Sequence, residues 1–228
     1  MKTLRLLLPF LAAAALPAWS PRVHEVQTAK AVKMLPKNLA DLLRSQPQVL
    51  LDAAKGKAND QPPTVEEVDS QYRTILRLSL EEGGVRAEDL VREMGTLAHM
   101  VQALQDPSCT SGVTPVREAF EAYADEKLGK LVVTRERFWA LSGPTDPKPV
   151  LQHWMAQKME RNRTLASSVD PAGKRVGPWD DLSIPFAQLQ LSFSNGVNAT
   201  ANVWILLYRE VGQLWPYPSP GNRTANLD

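Results

Sequence analysis

The stretch PFAQLQLSFSNGVNATANVWILLYREVGQL (residues 185–214) contains the clearest periodicity in the chain and decides its fold class. Its large apolar residues recur within a narrow arc at 3.6 residues per turn, which predicts one amphipathic helix of about 30 residues and about 45 Å. The apolar arc consists of Phe186, Leu189, Phe193, Val197, Trp204, Leu207, Val211 and Leu214. We interpret the opposite arc as a solvated face, and its asparagines argue against a membrane span. That arc consists of Gln188, Asn195, Asn198, Asn202 and Arg209. The stretch therefore predicts the main supporting helix of a bundle.

Helical periodicity also dominates the rest of the chain, and we find no convincing run of alternating strand residues. Thr64 and Glu67 form a capping box at the start of one helix. Proline residues divide the segments before it, at Pro36 and near Pro47. The predicted helices cover residues 23–35, 38–55, 64–80 and 87–105, with one that begins at Thr114 and Pro115 and another through His153. The sequence thus predicts an all-α fold, a single helical-bundle domain over residues 19–228.

The first 18 residues, MKTLRLLLPFLAAAALPA, have the pattern of a secretory signal peptide. Lys2 and Arg5 precede an apolar run that is too short to span a bilayer, and Ala18 is a small residue of the kind found at the cleavage site. Cleavage there would make Trp19 the mature N-terminus. We therefore expect a secreted or periplasmic protein with no transmembrane segment.

Charge and cysteine content narrow the classes of function. The 228 residues include 26 basic and 25 acidic side chains, a formal net charge of +1, so the sequence has no broad electrostatic footprint for nucleic acid. Cys109 is the only cysteine, which excludes an internal disulfide and leaves stability to the apolar core.

The chain has three histidines, and two of them suggest metal chemistry. An N-terminal Trp19 would offer an amine and a carbonyl oxygen to one metal ion, and His24 could supply an imidazole to the same ion. His99 lies on the side of its helix away from the apolar stripe, with Gly95 and Ala103 as neighbours. Such small residues predict that a second element or a cleft covers this side. The alternative is a core histidine that is hydrogen-bonded to backbone.

Trp19-x4-His24, the segment LAHMVQALQDPSC (residues 97–109) and the long final helix together resemble the zinc-dependent phospholipase C and single-strand-specific nuclease superfamily. The resemblance implies an exported, all-helical phosphoesterase whose three zinc ions are held by a terminal tryptophan, about five histidines and several aspartates. Its motif His-x3-Asp-x3-Pro-x-His matches here at His99 and Pro107. Ala103 occupies the position of the motif aspartate, and Cys109 that of its second histidine.

The resemblance implies a reduced ligand set, because an aspartate that would bridge two ions falls on Ala103, and without it two cations repel each other at close range. The metal ligands that the resemblance implies are Trp19, His24, Asp60 (with Asp52 as its alternative), His99, Cys109 and His153. Gln157 stands where a carboxylate would follow His153. We expect one zinc ion, or none.

Two functions follow from the resemblance. The first is a secreted phosphoesterase-like hydrolase with a reduced zinc site, acting on phosphodiester or phosphomonoester substrates. The alternative is a non-catalytic helical module of the same scaffold, with a binding or envelope-associated role. The two functions differ in whether the protein is an enzyme.

Overall fold

The structure is a computed structural model that describes residues 19–56, 62–80, 84–110, 114–135, 146–149, 151–152, 165, 167–170, 172 and 174–211, with the backbone alone at residues 109, 110, 114 and 115. The predicted signal peptide therefore lies outside the described residues. Within the described part the protein is all-helical, as predicted, apart from one isolated bridge between Val169 and Arg175. None of the helices in this part combines the length and the apolar character needed to cross a bilayer.

Seven α-helices and two short 3₁₀-helices make up the described architecture. The α-helices are α1 (Pro21–Val32), α2 (Lys37–Ser45), α3 (Pro47–Lys55), α4 (Val65–Leu80), α5 (Ala87–Ala103), α6 (Thr114–Lys127) and α7 (Ile184–Val211). The 3₁₀-helices are Pro107–Thr110 and Leu128–Lys130.

Local sequence signals place several of these boundaries. Pro47 divides the predicted 38–55 segment into α2 and α3, and it occupies the start of α3, where its missing N–H costs no helical hydrogen bond. The predicted capping box forms at α4, because the Thr64 N–H donates to Glu67 Oε2 at 2.7 Å and the Glu67 N–H donates to Thr64 Oγ1 at 3.1 Å.

Helix α7 is the central helix, and α1, α4 and α5 pack against it. Its apolar arc is buried as predicted from Leu189 to Val211, whereas Phe186 is half-buried and Leu214 lies outside the described residues. The Trp204 indole N–H also donates to the Met94 carbonyl of α5 at 3.2 Å. The interpretation of its polar arc as a solvated face is wrong. Asn198 and Asn202 are 1% exposed, and Gln188 and Asn195 are also buried. Arg209 alone of the predicted polar arc is exposed.

Residues 131–135 lie along one side of α7 and cover Asn198 of this arc together with the neighbouring Gln190 and Ser194. Gln190 accepts from the Val132 N–H at 3.1 Å and donates to the Val132 carbonyl. Ser194 accepts from the Thr134 N–H at 3.1 Å, and Asn198 donates to the Thr134 carbonyl at 2.9 Å. Residues four apart on a helix rise about 6.0 Å, and residues two apart on an extended chain advance about 6.6 Å, so the two spacings match. Amide and hydroxyl side chains of α7 thus take the place of a partner strand.

Candidate metal site

Two histidines from different helices meet in the core. His24 of α1 is fully buried and His99 of α5 is 6% exposed, and their ring centroids are 4.4 Å apart. The sequence separates them by 75 positions, so α1 and α5 must pack together to bring these rings into contact. We refer to His24 and His99 as the histidine pair.

The side chain of Gln102 fixes the tautomer of His24. Its Nε2 donates to Thr28 Oγ1 at 2.9 Å, so its Oε1 is the acceptor that lies 2.7 Å from His24 Nδ1. The ring proton of His24 is therefore assigned to Nδ1, and the lone pair lies on Nε2. That Nε2 is buried and finds no hydrogen-bond partner among the described residues. A buried, oriented imidazole nitrogen with an unused lone pair is what a metal ligand requires.

The surroundings of His24 keep its imidazole neutral. Burial first, and repulsion from His99 second, lower the pKa of His24 from 6.5 to about 3, while the hydrogen bond to Gln102 acts in the opposite direction. At neutral pH the ring is therefore in the uncharged form that binds metal ions.

Helix α3 covers His99, as the small residues beside it predicted. The His99 Nδ1–H donates to the Ala54 carbonyl at 3.2 Å, so the backbone contact named as the alternative is also present. Gly95 allows this close packing, because a Cβ on Gly95 would lie 2.6 Å from the Leu50 carbonyl oxygen. Gly56, at φ 70° and ψ −169°, lies against the imidazole ring. With the proton on Nδ1, the lone pair of the His99 ring lies on Nε2.

Trp19 is joined to the histidine pair through Gln102. Trp19 is fully buried, its indole N–H donates to the Gln102 backbone carbonyl at 3.0 Å, and its ring lies 5.9 Å from Phe120 of α6. The next residue, Ser20, donates to Asp125 at 2.6 Å and caps α1 by accepting from the Val23 N–H at 3.3 Å. Trp19 and His24 therefore both contact Gln102, one through its backbone and one through its side chain.

The structure locates the remaining predicted ligands only in part. Asp52 lies on the exposed side of α3, 56% exposed, where it accepts from Gln48 at 2.8 Å and from Lys55 at 3.2 Å. Asp60 and His153 lie outside the described residues, and for Cys109 only the backbone, in the 3₁₀-helix Pro107–Thr110, is described. Ala103 is buried. Among the residues whose side chains are described, no three histidines, cysteines or carboxylates come together as a metal site.

Sequence reasoning missed Gln102 and a polar cluster beyond the end of α5. Asp106 is buried and accepts from the Ser108 N–H at 2.8 Å. On α6, Arg117 pairs with Glu121 at 3.3 Å. Burial, and next the charge of Asp106, raise the pKa of Glu121 to about 8. The available signal was the run of polar residues Gln102, Gln105 and Asp106 after an otherwise apolar helix face.

Comparisons with known proteins support the helical fold and no specific function. Neither known protein families nor curated protein sequences give a match. Among solved structures, the chain is similar to the alpha-toxin of Clostridium perfringens from avian strain SWCP, with a TM-score of 0.53 and 14% identity. The match covers 83% of this chain and 63% of the toxin chain. At this identity the likeness shows the fold alone.

Proposed function

We propose that this protein is an exported hydrolase of the zinc phosphoesterase type with a reduced site that holds one zinc ion. The histidine pair carries the proposal: both rings are buried, and each Nδ1–H is bonded to a carbonyl or amide oxygen. Such outer hydrogen bonds are typical of zinc-ligating histidines, because they fix the ring and raise the basicity of Nε2. The fold likeness to the alpha-toxin is consistent with the zinc phosphoesterase superfamily that the sequence resembles.

The residues suit one ion better than several. His24 and His99 would provide two imidazole nitrogens, and a processed Trp19 amine would provide a third donor. We propose Asp60 rather than Asp52 as the carboxylate ligand, because Asp52 is exposed and paired with Lys55. Asp60 follows four residues after Gly56, which contacts His99. Because a catalytic zinc ion has three protein ligands and one open position, these donors do not all bind one ion at once, and Cys109 and His153 are proposed as alternatives among them.

Each described residue has a definite part in this proposal. Gln102 holds His24 in one tautomer, the Ala54 carbonyl orients His99, and the burial of His24 keeps its ring unprotonated. Zinc, when bound, lowers the pKa of a coordinated water towards neutrality and polarises a phosphoryl oxygen. Ala103 cannot bridge two ions, which is why a single ion is proposed.

A non-catalytic module is the second candidate, and a specific observation favours it. Ala103 occupies the position of the aspartate in the motif His-x3-Asp-x3-Pro-x-His. Among the described side chains, only two of the proposed ligands, His24 and His99, come together. In that case the histidine pair would hold a structural ion, or none, and phosphate esters would not be hydrolysed.

Elemental analysis of the processed protein, purified from the periplasm of an expression host, tests the proposal. We expect one zinc per chain, and loss of that zinc in His24→Ala, in His99→Ala and when one extra residue precedes Trp19. Asp60→Asn should weaken zinc binding about tenfold or more, while the matched Asp52→Asn should leave it unchanged. Circular dichroism on each variant reports the helical fold.

Hydrolysis of bis-p-nitrophenyl phosphate then separates the two candidate functions. Zinc-dependent turnover that His99→Ala abolishes supports the hydrolase. Stoichiometric zinc without turnover supports the non-catalytic module. Absence of zinc from the correctly processed protein rejects the metal site itself.

A further inference from the structure

A second feature of the molecule lies away from the histidine pair, where residues 131–135 face the end of α1. Between them lies an open groove of about 300 Å³. Its lining residues are Lys30, Lys33, Met34, Val132, Val133 and Arg135. Neither histidine of the pair lines this groove.

One wall of the groove is a backbone edge with unused hydrogen-bonding groups. Val132 and Thr134 direct their N–H and carbonyl groups to α7. Successive residues of an extended chain point these groups to opposite sides, so those of Val133 point away from α7. Within the described part of the chain, neither the N–H nor the carbonyl of Val133 has a hydrogen-bond partner. Such an edge is a template for a further extended strand.

The same groove concentrates positive charge around an apolar floor. No carboxylate among the described residues forms an ion pair with Lys30, Lys33 or Arg135. Met34 and Val133 are half-buried between these cations, and Val132 is 62% exposed. Three cations that have no ion-pair partner among the described residues thus form a local patch, which the net charge of +1 does not reveal.

We propose that this groove binds an extended acidic peptide segment of a partner protein by strand addition. The N–H and carbonyl of Val133 would pair with the peptide backbone, and alternate carboxylates of the peptide would meet Lys30, Lys33 and Arg135. A small anion or an anionic bilayer would satisfy the cations and leave the Val133 edge unpaired, so the edge favours a peptide. This site is independent of the zinc proposal.

Fluorescence anisotropy with a fluorescein-labelled octapeptide of alternating glutamate and valine tests the charges. We expect saturable binding that is about fivefold weaker or more in Lys33→Glu and in Arg135→Glu. Arg77→Glu, an exposed cation on α4 that does not line the groove, is the matched control and should bind as the unmodified protein does. Absence of saturable binding, or equal binding by all variants, overturns the proposal.

Two N-methylated versions of the same octapeptide test the backbone edge. In an extended peptide the N–H groups of alternate residues point the same way, so pairing with Val133 uses either the valine or the glutamate set. Methylation of one set should weaken binding about fivefold or more, and methylation of the other set should leave it unchanged. Equal affinities of both methylated peptides overturn strand addition. Stronger Lys33-dependent binding to phosphatidylglycerol vesicles than to the peptide overturns it as well, in favour of a membrane surface.

Discussion

Gly56 determines how closely α3 approaches the His99 ring. Its φ of 70° and ψ of −169° are accessible almost only to glycine, and a Cβ there would lie 2.3 Å from His99 Cε1. We expect Gly56→Ala to lower the free energy of unfolding by about 3 kcal/mol, measured by urea denaturation, because it adds backbone strain and a steric clash.

Gly84→Ala is the matched control for this prediction. Gly84 also has a positive φ, 75°, but a Cβ there would meet no atom within 4 Å. Gly84→Ala should therefore lower the free energy of unfolding through backbone strain alone, by about 1–2 kcal/mol. Equal losses in the two variants would mean that contact with His99 contributes nothing.

Glu121 makes the stability of the protein depend on pH near neutrality. Its pKa is raised from 4.5 to about 8, by burial first and by Asp106 second, while Arg117 acts in the opposite direction. Between pH 4.5 and about 8 the carboxyl of Glu121 is protonated in the folded protein and ionised in the unfolded protein. The contribution of Glu121 to the free energy of unfolding is therefore fully present below pH 4.5 and is lost as pH rises towards 8. Allowing for the partial exposure of Glu121, we expect a loss of about 2 kcal/mol across this range.

Replacement of Glu121 isolates this contribution. Urea denaturation at several pH values should show that Glu121→Gln removes most of the loss. Glu118→Gln changes an exposed carboxylate on the same helix and should preserve the pH profile of the unmodified protein. A profile that Glu121→Gln leaves unchanged would assign the pH dependence to other groups.

At the scale of elements, the side chains of Gln190, Ser194 and Asn198 on α7 attach residues 131–135 to the bundle. Asn198 is 1% exposed, and its Nδ2 donates to the carbonyls of Thr134 and Ser194, each at 2.9 Å. Asn198→Asp would replace this donor with a buried carboxylate that faces two carbonyl oxygens. We expect the free energy of unfolding to fall by about 3 kcal/mol, measured by chemical denaturation.

The same chemical change at an exposed site provides the control. Asn38 lies at the exposed N-terminal end of α2, where a carboxylate interacts favourably with the helix dipole. Asn38→Asp should therefore leave stability unchanged or raise it by a few tenths of a kcal/mol. A similarly small effect of Asn198→Asp would mean that the hydrogen bonds of Asn198 are dispensable.

The polar arc also shows which features the sequence can predict. The Thr64 capping box and the break at Pro47 depend on residues within one helical turn, and both are confirmed. The burial of Asn198 depends on Thr134, 64 positions away, and nothing local distinguishes it from a solvated asparagine. The sequence predicts that another element covers His99, because Gly95 leaves room for it. It does not predict that this element is α3.

At the scale of the whole molecule, Trp19 joins α6 to the rest of the bundle. Its indole lies between the Gln102 carbonyl of α5 and the Phe120 ring of α6, and the adjacent Ser20 donates to Asp125 of α6. Helix α4, in contrast, packs directly on α5 and α7. Loss of the Trp19 side chain should therefore loosen α6 far more than α4.

Hydrogen exchange followed by mass spectrometry measures this difference. Trp19→Ala removes a fully buried side chain, a change that costs about 3–5 kcal/mol, so we expect protection in Thr114–Lys127 to fall roughly tenfold or more. Protection in Val65–Leu80 should change little, and Trp19→Phe, which keeps an aromatic ring beside Phe120, should have a smaller effect on α6. An equal loss of protection in both helices would instead mean that Trp19 supports the bundle as one cooperative unit.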